Sequence, residues 1–509
     1  MADTKREIER KYEGPAAQGD TGGLPDLSGV PGVADIVDEG LAELDATYYD
    51  TPDQRLAAAS LTLRRRTGGA DAGWHLKLPV AEDVRDEIRA PLSDTVPQDL
   101  SGLVRSRVRD AELVPLVRLV SARDVRHLLD ASGALLAEVS LDRVRAERLD
   151  TAAHTAAWTE IEVELADGGD PAFLDKVEKR LRKAGLHRSA APSKLAKALA
   201  ETGGRAPVTR GTTPAATAAP ATAGDHVLRY LRAQRDAVVG LDPAVRRDLP
   251  DSVHSMRVAT RRLRGTFASH GKILDPAVTG PIGDELKWLA GELGVDRDRE
   301  VLTERLAQAL GELPPTLVRG PVRARLRTWA RDRRGGSRQR LIAVLDGERY
   351  LTLLDTLDAL VTDPPLLAAA AGDPRKVIAK AVRKDLAKVS ALVAAAVDGP
   401  PGADRDRAMH EARKRAKRTR YAAEAAVPAL GAPAARLAKA MKSLQSLLGD
   451  HQDSVMTREA LRELADLAHA AGEDSFTYGV LYGREERRAA ATEAALPGAW
   501  TRVLEQTSV

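Results

Sequence analysis

Charged residues at alternate positions are the first feature of this sequence that could do chemistry. Near its start, Glu7, Glu9 and Lys11 alternate with Ile8, Arg10 and Tyr12. On a β-strand that spacing lines two carboxylates and an ammonium along one face. The pattern recurs downstream. Arg64 and Arg66 alternate in Leu61–Arg66, Lys77 lies in Trp74–Val80, and Arg85 and Glu87 lie in Val84–Ala90. Arg123 and Asp142 follow, and Glu160, Glu162 and Glu164 alternate along Trp158–Leu165. On an open sheet such a face meets water; in a closed barrel it lines a polar tunnel. A tunnel of this kind suits a polyphosphate with a divalent metal. Arg and Lys clamp phosphoryl oxygens, Arg bidentately. Carboxylates offer hard oxygen ligands to Mg2+ or Mn2+. A metal so held polarises phosphoryl oxygens and orients a water for in-line attack. No Gly-rich phosphate loop ending in Lys-Ser/Thr is present, so an ordinary nucleotide-binding fold is not indicated.

A second constellation occurs twice. His254, Arg257, Arg261, Arg262 and Arg264 align with His410, Arg413, Lys417, Arg418 and Arg420. Downstream, Lys287, Leu293-Gly294 and Asp298 align with Lys442, Leu448-Gly449 and Asp453 at nearly the same offset. On a helix, positions 0, +3, +7 and +10 fall within about 80° of one another. Each copy is therefore a basic stripe headed by a histidine and flanked by Arg262 or Arg418. Like charges at this spacing repel, so an anionic ligand would account for them. The plainer alternative is a solvated face paired with acids such as Asp298 and Asp453, with the histidines structural. No second ligand stands at i+3 or i+4 from either histidine, which argues against metal binding there.

Elements must position these groups, and 509 residues allow roughly two to four domains. Hydrophobic residues make up 43% and aromatics 3%, so the cores are expected to be Leu, Val and Ala. Net charge is +3, so local placement matters more than the global balance. The absence of cysteine excludes disulfides, thiolate catalysis and Cys-ligated zinc. Met1–Lys11 has no apolar signal core, and no run approaches the ~18 apolar residues of a membrane span. The expectation is a soluble cytoplasmic protein.

Residues up to about 200 read mainly as strands, with segments Leu41–Tyr49, Leu116–Arg123, Val125–Asp130 and Leu135–Asp142 besides those above. Helices are expected at Leu100–Asp110, Pro171–Ala184 and Ser193–Glu201. Gly203–Gly224 is Gly, Ala, Pro and Thr with few large apolar residues, and reads as a flexible linker. From Asp225 onward the pattern is helical, with about eight to ten helices and loops expected at Gly240–Pro250 and Asp275–Gly283.

Taken in order, Glu7-x-Glu9-x-Lys11, Tyr48-Tyr49-Asp50-Thr51, Leu63-Arg64-Arg65-Arg66, Trp74-x-Leu76-Lys77, Leu141-Asp142, Glu160-x-Glu162-x-Glu164 and Ser193-Lys194-Leu195 resemble the CYTH superfamily of triphosphate tunnel metalloenzymes. The set spans about residues 3–202. The resemblance implies an eight-stranded antiparallel β-tunnel. It assigns Lys11, Arg64, Arg66, Lys77, Arg123 and Lys194 to triphosphate binding. It assigns Glu7, Glu9, Asp142, Glu160 and Glu162 to the metal, and Glu9, Glu160, Lys77 and Tyr48 to catalysis. Arg85, Glu87 and Glu164 are further tunnel candidates. The part from 225 to 509 resembles the CHAD domain, an all-α domain with repeated histidine and basic positions. That resemblance implies polyphosphate binding by the two stripes with Lys287 and Lys442. The expected fold class is therefore α+β multidomain: a tunnel over 3–202, a linker over 203–224, and a duplicated helical bundle whose repeats run about 225–360 and 375–509. The expected function is metal-dependent hydrolysis of inorganic triphosphate to pyrophosphate and phosphate, with inorganic polyphosphate held on the helices. The alternatives are a non-catalytic polyphosphate binder, an adenylate cyclase or another organic triphosphate hydrolase. Sparse aromatics and the lack of an RNA- or DNA-binding signature argue against nucleic acid.

Overall fold

The computed structural model describes residues 3–14, 23–69, 71–149, 154–203, 220–332 and 337–507, with backbone alone at 295–300, 332 and 337. Most of the expected linker lies outside the described residues. The chain forms two compact units that divide near residue 210.

The first unit is built on eight long antiparallel strands: β1 (Asp3–Glu13), β2 (Asp35–Asp50), β3 (Thr62–Thr67), β4 (Gly73–Ala81), β5 (Val84–Ala90), β6 (Val114–Leu129), β7 (Leu135–Arg148) and β8 (Thr155–Leu165). They pair in the order β5-β4-β3-β2-β6-β7-β8-β1, and β1 also pairs with β5, placing Glu7 beside Arg85. That last pairing closes the sheet, so the charged face is an interior and not a water-facing surface. A two-residue strand, β9 (His187–Arg188), extends the ladder beside Tyr12 and Glu13.

The barrel is apolar outside and polar within. Along β1, β3 and β4 the odd–even alternation sends Ile8, Tyr12, Leu63, Trp74 and Leu76 outward, together with Arg10 and Arg65, and turns Glu7, Glu9, Lys11, Arg64, Arg66 and Lys77 inward. Helices cover this outer surface. Leu100, Leu103 and Val104 of α2 (Gln98–Val108) pack on β3 to β5, next to Leu56 of the short α1 (Arg55–Ala58). Phe173, Val177 and Leu181 of α3 (Ala172–Lys183) pack on β7, β8 and β1. Leu63, Leu76 and Leu100 are fully buried, each worth about 1.5–3 kcal/mol of transfer free energy. One inner end is apolar: Tyr48, Leu119, Val144 and Ala146 meet Leu195, Ala198 and Leu199 of α4 (Lys194–Glu201). Ser193 caps α4 by accepting from the Ala196 amide at 3.1 Å.

The sequence pattern broke Leu116–Asp130 at Asp124, but β6 runs through it. Asp124 stays in register between Leu41 and Leu141, with an Arg126 guanidinium 3.0 Å from its carboxylate. A polar side chain on the outer face leaves the backbone ladder intact.

The second unit contains eleven helices among the described residues: α5 (Ala223–Arg246), α6 (Ser252–Ser269), α7 (Pro276–Glu292), α8 (Val295–Gly311), α9 (Val322–Asp332), α10 (Ser337–Asp346), α11 (Glu348–Thr362), α12 (Pro374–Asp398), α13 (Ala403–Leu430), α14 (Ala432–Ala470) and α15 (Phe476–Thr507). Helix α5 begins two residues before Asp225, where Thr222 and Asp225 form a capping box. The expected loops at Gly240–Pro250 and Asp275–Gly283 are largely helical, with Pro243 inside α5 and Pro281 inside α7. Around Pro243 tertiary contacts hold the turn: buried Asp242 takes Arg246 Nε at 2.7 Å and Tyr350 Oη at 3.0 Å. The main core gathers Leu231, Leu263, Leu286, Leu354, Val389, Met409 and Met441 from α5, α6, α7, α11, α12, α13 and α14. The two sequence repeats thus share one core. A smaller cluster joins Leu306, Leu326, Leu461 and Leu481 of α8, α9, α14 and α15.

Candidate functional site

Inside the barrel lies a cavity of about 290 Å³ lined by nine basic and seven acidic side chains. Each strand contributes through the inward half of its alternation. β1 supplies Lys5, Glu7, Glu9 and Lys11; β3 supplies Arg64 and Arg66; β4 supplies Lys77; β5 supplies Arg85, Glu87 and Arg89. β6 to β8 add Arg123, Glu138, Glu162 and Glu164, and Lys194 enters from the first turn of α4.

The opposite charges hold one another. Lys77 Nζ lies 2.6 Å from Glu7 Oε2, 3.5 Å from Glu9 Oε2 and 3.9 Å from Glu87 Oε1. Lys11 Nζ lies 2.7 Å from Glu162 and 3.4 Å from Glu9. Arg123 forks onto Asp142, with two contacts of 2.7 Å, and reaches Glu162 at 2.7 Å. Burial opposes the Lys77 ammonium, yet Glu9, Glu7 and Glu87 outweigh it and keep its pKa above the usual lysine value. Burial likewise opposes the Glu9 carboxylate, but Lys11 and Lys77 hold its pKa down at about 2. Glu7 goes the other way. Burial raises it to about 7 against the pull of Lys77, with Glu87 and Glu164 adding to the rise. Burial and the charges of Arg64 and Arg123 work against the Arg66 cation, which contacts Asp71 at the end of the cavity.

Asp142, Glu160 and Glu162 come together, with one oxygen of each within 4.8 Å of the others. Lys194 Nζ sits among them at 2.9, 2.7 and 2.6 Å. Asp142 and Glu160 therefore lie behind Lys194 and are not part of the cavity lining, whereas Glu162 is. The other Glu160 oxygen accepts from Trp158 Nε1 at 2.7 Å. The Tyr48 hydroxyl takes Arg64 Nη1 at 3.4 Å, because Tyr48 and Arg64 are directly opposite in the β2–β3 register. The acidic donors are all carboxylate oxygens, a set that fits a hard divalent cation such as Mg2+ or Mn2+.

Sequence reasoning missed Lys5, Asp71, Arg89 and Glu138. Extending the same alternation from Glu7 and Glu87 reaches Lys5 and Arg89. Asp71 lies between strands and has no such signal. His75 is also buried in the interior, with Nδ1 3.1 Å from Glu87 and Nε2 2.9 Å from the Asp71 carbonyl.

The helical unit carries the second candidate. α6 and α13 pack together, and their stripes merge. Burial, followed by the charges of Arg413, Arg261, Arg420 and Arg257, lowers Lys417 to about 8. Among the described residues, Arg261, Arg413 and Lys417 make no ion pair with a carboxylate. Both repeated glycines lie against an arginine of the stripes. At Gly294 this is a close approach, since a Cβ would stand 2.6 Å from Arg257 Nη2; at Gly449 a Cβ would be in ordinary contact, 3.5 Å from Arg413 Nε. Burial lowers Arg264, and Asp284 opposes that shift. Arg420 is 3.3 Å from Glu424. His254, Lys287 and Lys442 are exposed, and His410 is half-buried.

Arg262 and Arg418 were grouped with the ligand-binding stripe, but they are engaged in a clasp between the repeats. Arg262 Nη2 donates to Glu424 Oε2 of α13 at 3.0 Å. Arg418 Nε donates to Ser269 Oγ of α6 at 3.1 Å, and Arg418 also reaches the Ala268 carbonyl and lies 3.4 Å from Asp385 of α12. Asp453 faces Arg305 at 3.5 Å, and the Asp298 side chain lies outside the described residues.

Residues 5–199 match the CYTH domain family and residues 229–462 match the CHAD domain family. The chain is 39% identical to uncharacterized proteins from two strains of Mycobacterium tuberculosis, over 96% of this chain and 95% of each relative. PptA from Streptomyces chartreusis is similar over 55% of this chain and 100% of its own, at 24% identity and a TM-score of 0.47. The CHAD domain from the plant Ricinus communis is similar over 55% of this chain and 92% of its own, at 26% identity and a TM-score of 0.42. The chain belongs to the family that joins a CYTH domain, of the triphosphate tunnel enzymes, to a CHAD domain on one polypeptide.

Proposed function

We propose that the barrel hydrolyses inorganic triphosphate to pyrophosphate and phosphate, and that the helical unit holds inorganic polyphosphate. The observation that carries the first part is the cavity inside the closed barrel, with cations and carboxylates on its walls. Lys11, Arg64, Arg66, Lys77, Arg123 and Lys194 are the groups to grip the phosphates, exchanging their internal carboxylates for phosphoryl oxygens. Glu9 and Glu162, with Glu7 and Glu164 beside them, would hold Mg2+ or Mn2+, whose charge offsets that of the phosphoryl oxygens. Glu9 stays ionised at neutral pH and can orient a water by accepting its hydrogen bond. Asp142, Glu160 and, through Glu160, Trp158 act on Lys194 and steady it.

An inorganic substrate is favoured over a nucleotide by the lining itself. Among the described residues Tyr48 is the one aromatic in it, and its hydroxyl is turned to Arg64. The test is phosphate release from triphosphate, long-chain polyphosphate, ATP and thiamine triphosphate, each with Mg2+ and with Mn2+. Triphosphate should be cleaved fastest. No cleavage of triphosphate with either metal would sink the reading and leave a polyphosphate-binding protein. Polyphosphate holding by the helices rests on the merged stripes and, among the described residues, on the lack of acidic partners at Arg261, Arg413 and Lys417.

A further inference from the structure

Away from the basic stripes, three other side chains converge. Asp406 lies in the first turn of α13, His451 in the middle of α14 and Glu493 in α15. His451 is only 1% exposed, and the two carboxylates are half-buried. His451 Nε2 lies 3.3 Å from Asp406 Oδ1 and 3.4 Å from Glu493 Oε1. One atom from each of three helices thus faces a common point, all within 4.8 Å of one another.

We propose that Asp406, His451 and Glu493 form a divalent-cation site of the Zn2+ class that ties α13, α14 and α15 together. The separations are longer than the usual N–H···O hydrogen bond of about 2.9–3.0 Å. They match the edge of a tetrahedron built on metal–ligand bonds of about 2.0–2.1 Å, which is roughly 3.4 Å. One imidazole nitrogen with two carboxylate oxygens is a borderline donor set, suited to Zn2+ better than to Mg2+ or Ca2+. The second oxygen of each carboxylate is already engaged. Arg405 Nη1 is 2.9 Å from Glu493 Oε2, and Arg458 Nη2 is 3.8 Å from Asp406 Oδ2. Arg405 is itself fixed by the Gly399 carbonyl at 3.0 Å. These outer partners leave Oδ1 and Oε1 turned toward His451, as second contacts do for metal ligands. Three protein ligands leave a fourth position for water.

The cluster is no copy of the duplicated stripes. The repeat aligns Asp406 with Pro250 and His451 with Asp296, so the first half lacks both the histidine and one of the carboxylates.

Co2+ is the probe, because a tetrahedral site with a nitrogen ligand absorbs visible light far more strongly than an all-oxygen octahedral site such as the barrel carboxylates would form. The full-length chain is stripped with chelator and titrated with Co2+, then with Zn2+. The expected result is an intense visible band that saturates at a single Co2+ per chain and is bleached by Zn2+. The band should vanish in His451→Gln and shrink in Glu493→Gln, with circular dichroism showing that both variants are folded. If His451→Gln does not fold, Asp406→Asn takes its place. A weak, octahedral Co2+ spectrum in the folded wild-type chain would overturn the site, and so would an intense band that survives both His451→Gln and Asp406→Asn. The three side chains would then be a polar cluster without a metal.

Discussion

The barrel interior and the α6–α13 face both concentrate cations, and they treat them in opposite ways. In the barrel, Lys11, Lys77 and Lys194 each lie within ion-pair reach of two or three carboxylates, and each holds its proton more tightly than a free lysine. On the helices, Lys417 stands among arginines and gives up its proton near pH 8. Buried charges need partners, and the barrel builds both signs into its own wall. Such an interior suits the ligand proposed for it, a phosphate chain with its metal, which also carries both signs. On the helical face, Arg261, Arg413 and Lys417 make no ion pair with a carboxylate among the described residues. The proposed separation of chemistry from holding rests on that difference: of these two faces, the barrel interior is the one that sets several carboxylates around each of its lysines.

Removing the metal should separate the two regions most sharply. Chelation is expected to abolish triphosphate hydrolysis while leaving polyphosphate retention on the chain unchanged, read by phosphate release and a filter-binding assay. Equal loss of both would break the comparison. Next in size is Lys77→Ala, which leaves Glu7, Glu9 and Glu87 without a counter-charge. It should lower kcat/KM for triphosphate by about 100-fold, the range expected when one preorganised charge contact is lost.

The pH responses should run in opposite directions. Glu7 must ionise to accept a cation and does so near pH 7, so metal affinity should rise as pH passes upward through 7, and Glu7→Gln should flatten that rise. Lys417 is charged below about 8 and neutral above, so polyphosphate affinity should fall as pH passes upward through 8. Lys417→Arg should remove that fall. Linkage also fixes a sign for stability. The folded-state pKa of Lys417 lies below the ordinary lysine value, so its contribution to stability is full above that value and lost as pH falls through 8. Calorimetric binding titrations at pH 6, 7, 8 and 9 would read both limbs. The smallest effect is expected at the clasp: Arg262→Ala should cost about 1 kcal/mol of stability in a denaturant titration, with polyphosphate affinity changed less than by Arg413→Ala.

The barrel was legible because a period of two needs few residues to declare itself. Glu7, Glu9 and Lys11 against Ile8 and Tyr12 suffice to give the two faces. Closure was not legible from alternation, since the β1–β5 pairing joins segments some eighty residues apart. Nor was the division between Glu162, which lines the cavity, and Asp142 and Glu160, which lie behind Lys194. That depends on where α4 enters, which strand periodicity does not encode. On the helices, the repeat located the stripes, and their merging requires the α6–α13 packing. Arg262 and Arg418 looked like their neighbours in sequence because Glu424, Ser269 and Asp385, which hold them, lie on other helices or turns.

The division of labour is tested most directly by assaying Glu9→Gln and Arg413→Ala side by side, each for triphosphate hydrolysis and for polyphosphate binding. Glu9→Gln should lose hydrolysis and keep binding; Arg413→Ala should weaken binding and keep hydrolysis. If either substitution removed both activities from a folded chain, or if Glu9→Gln hydrolysed triphosphate at the wild-type rate, the assignment of chemistry to the barrel and holding to the helices would be contradicted.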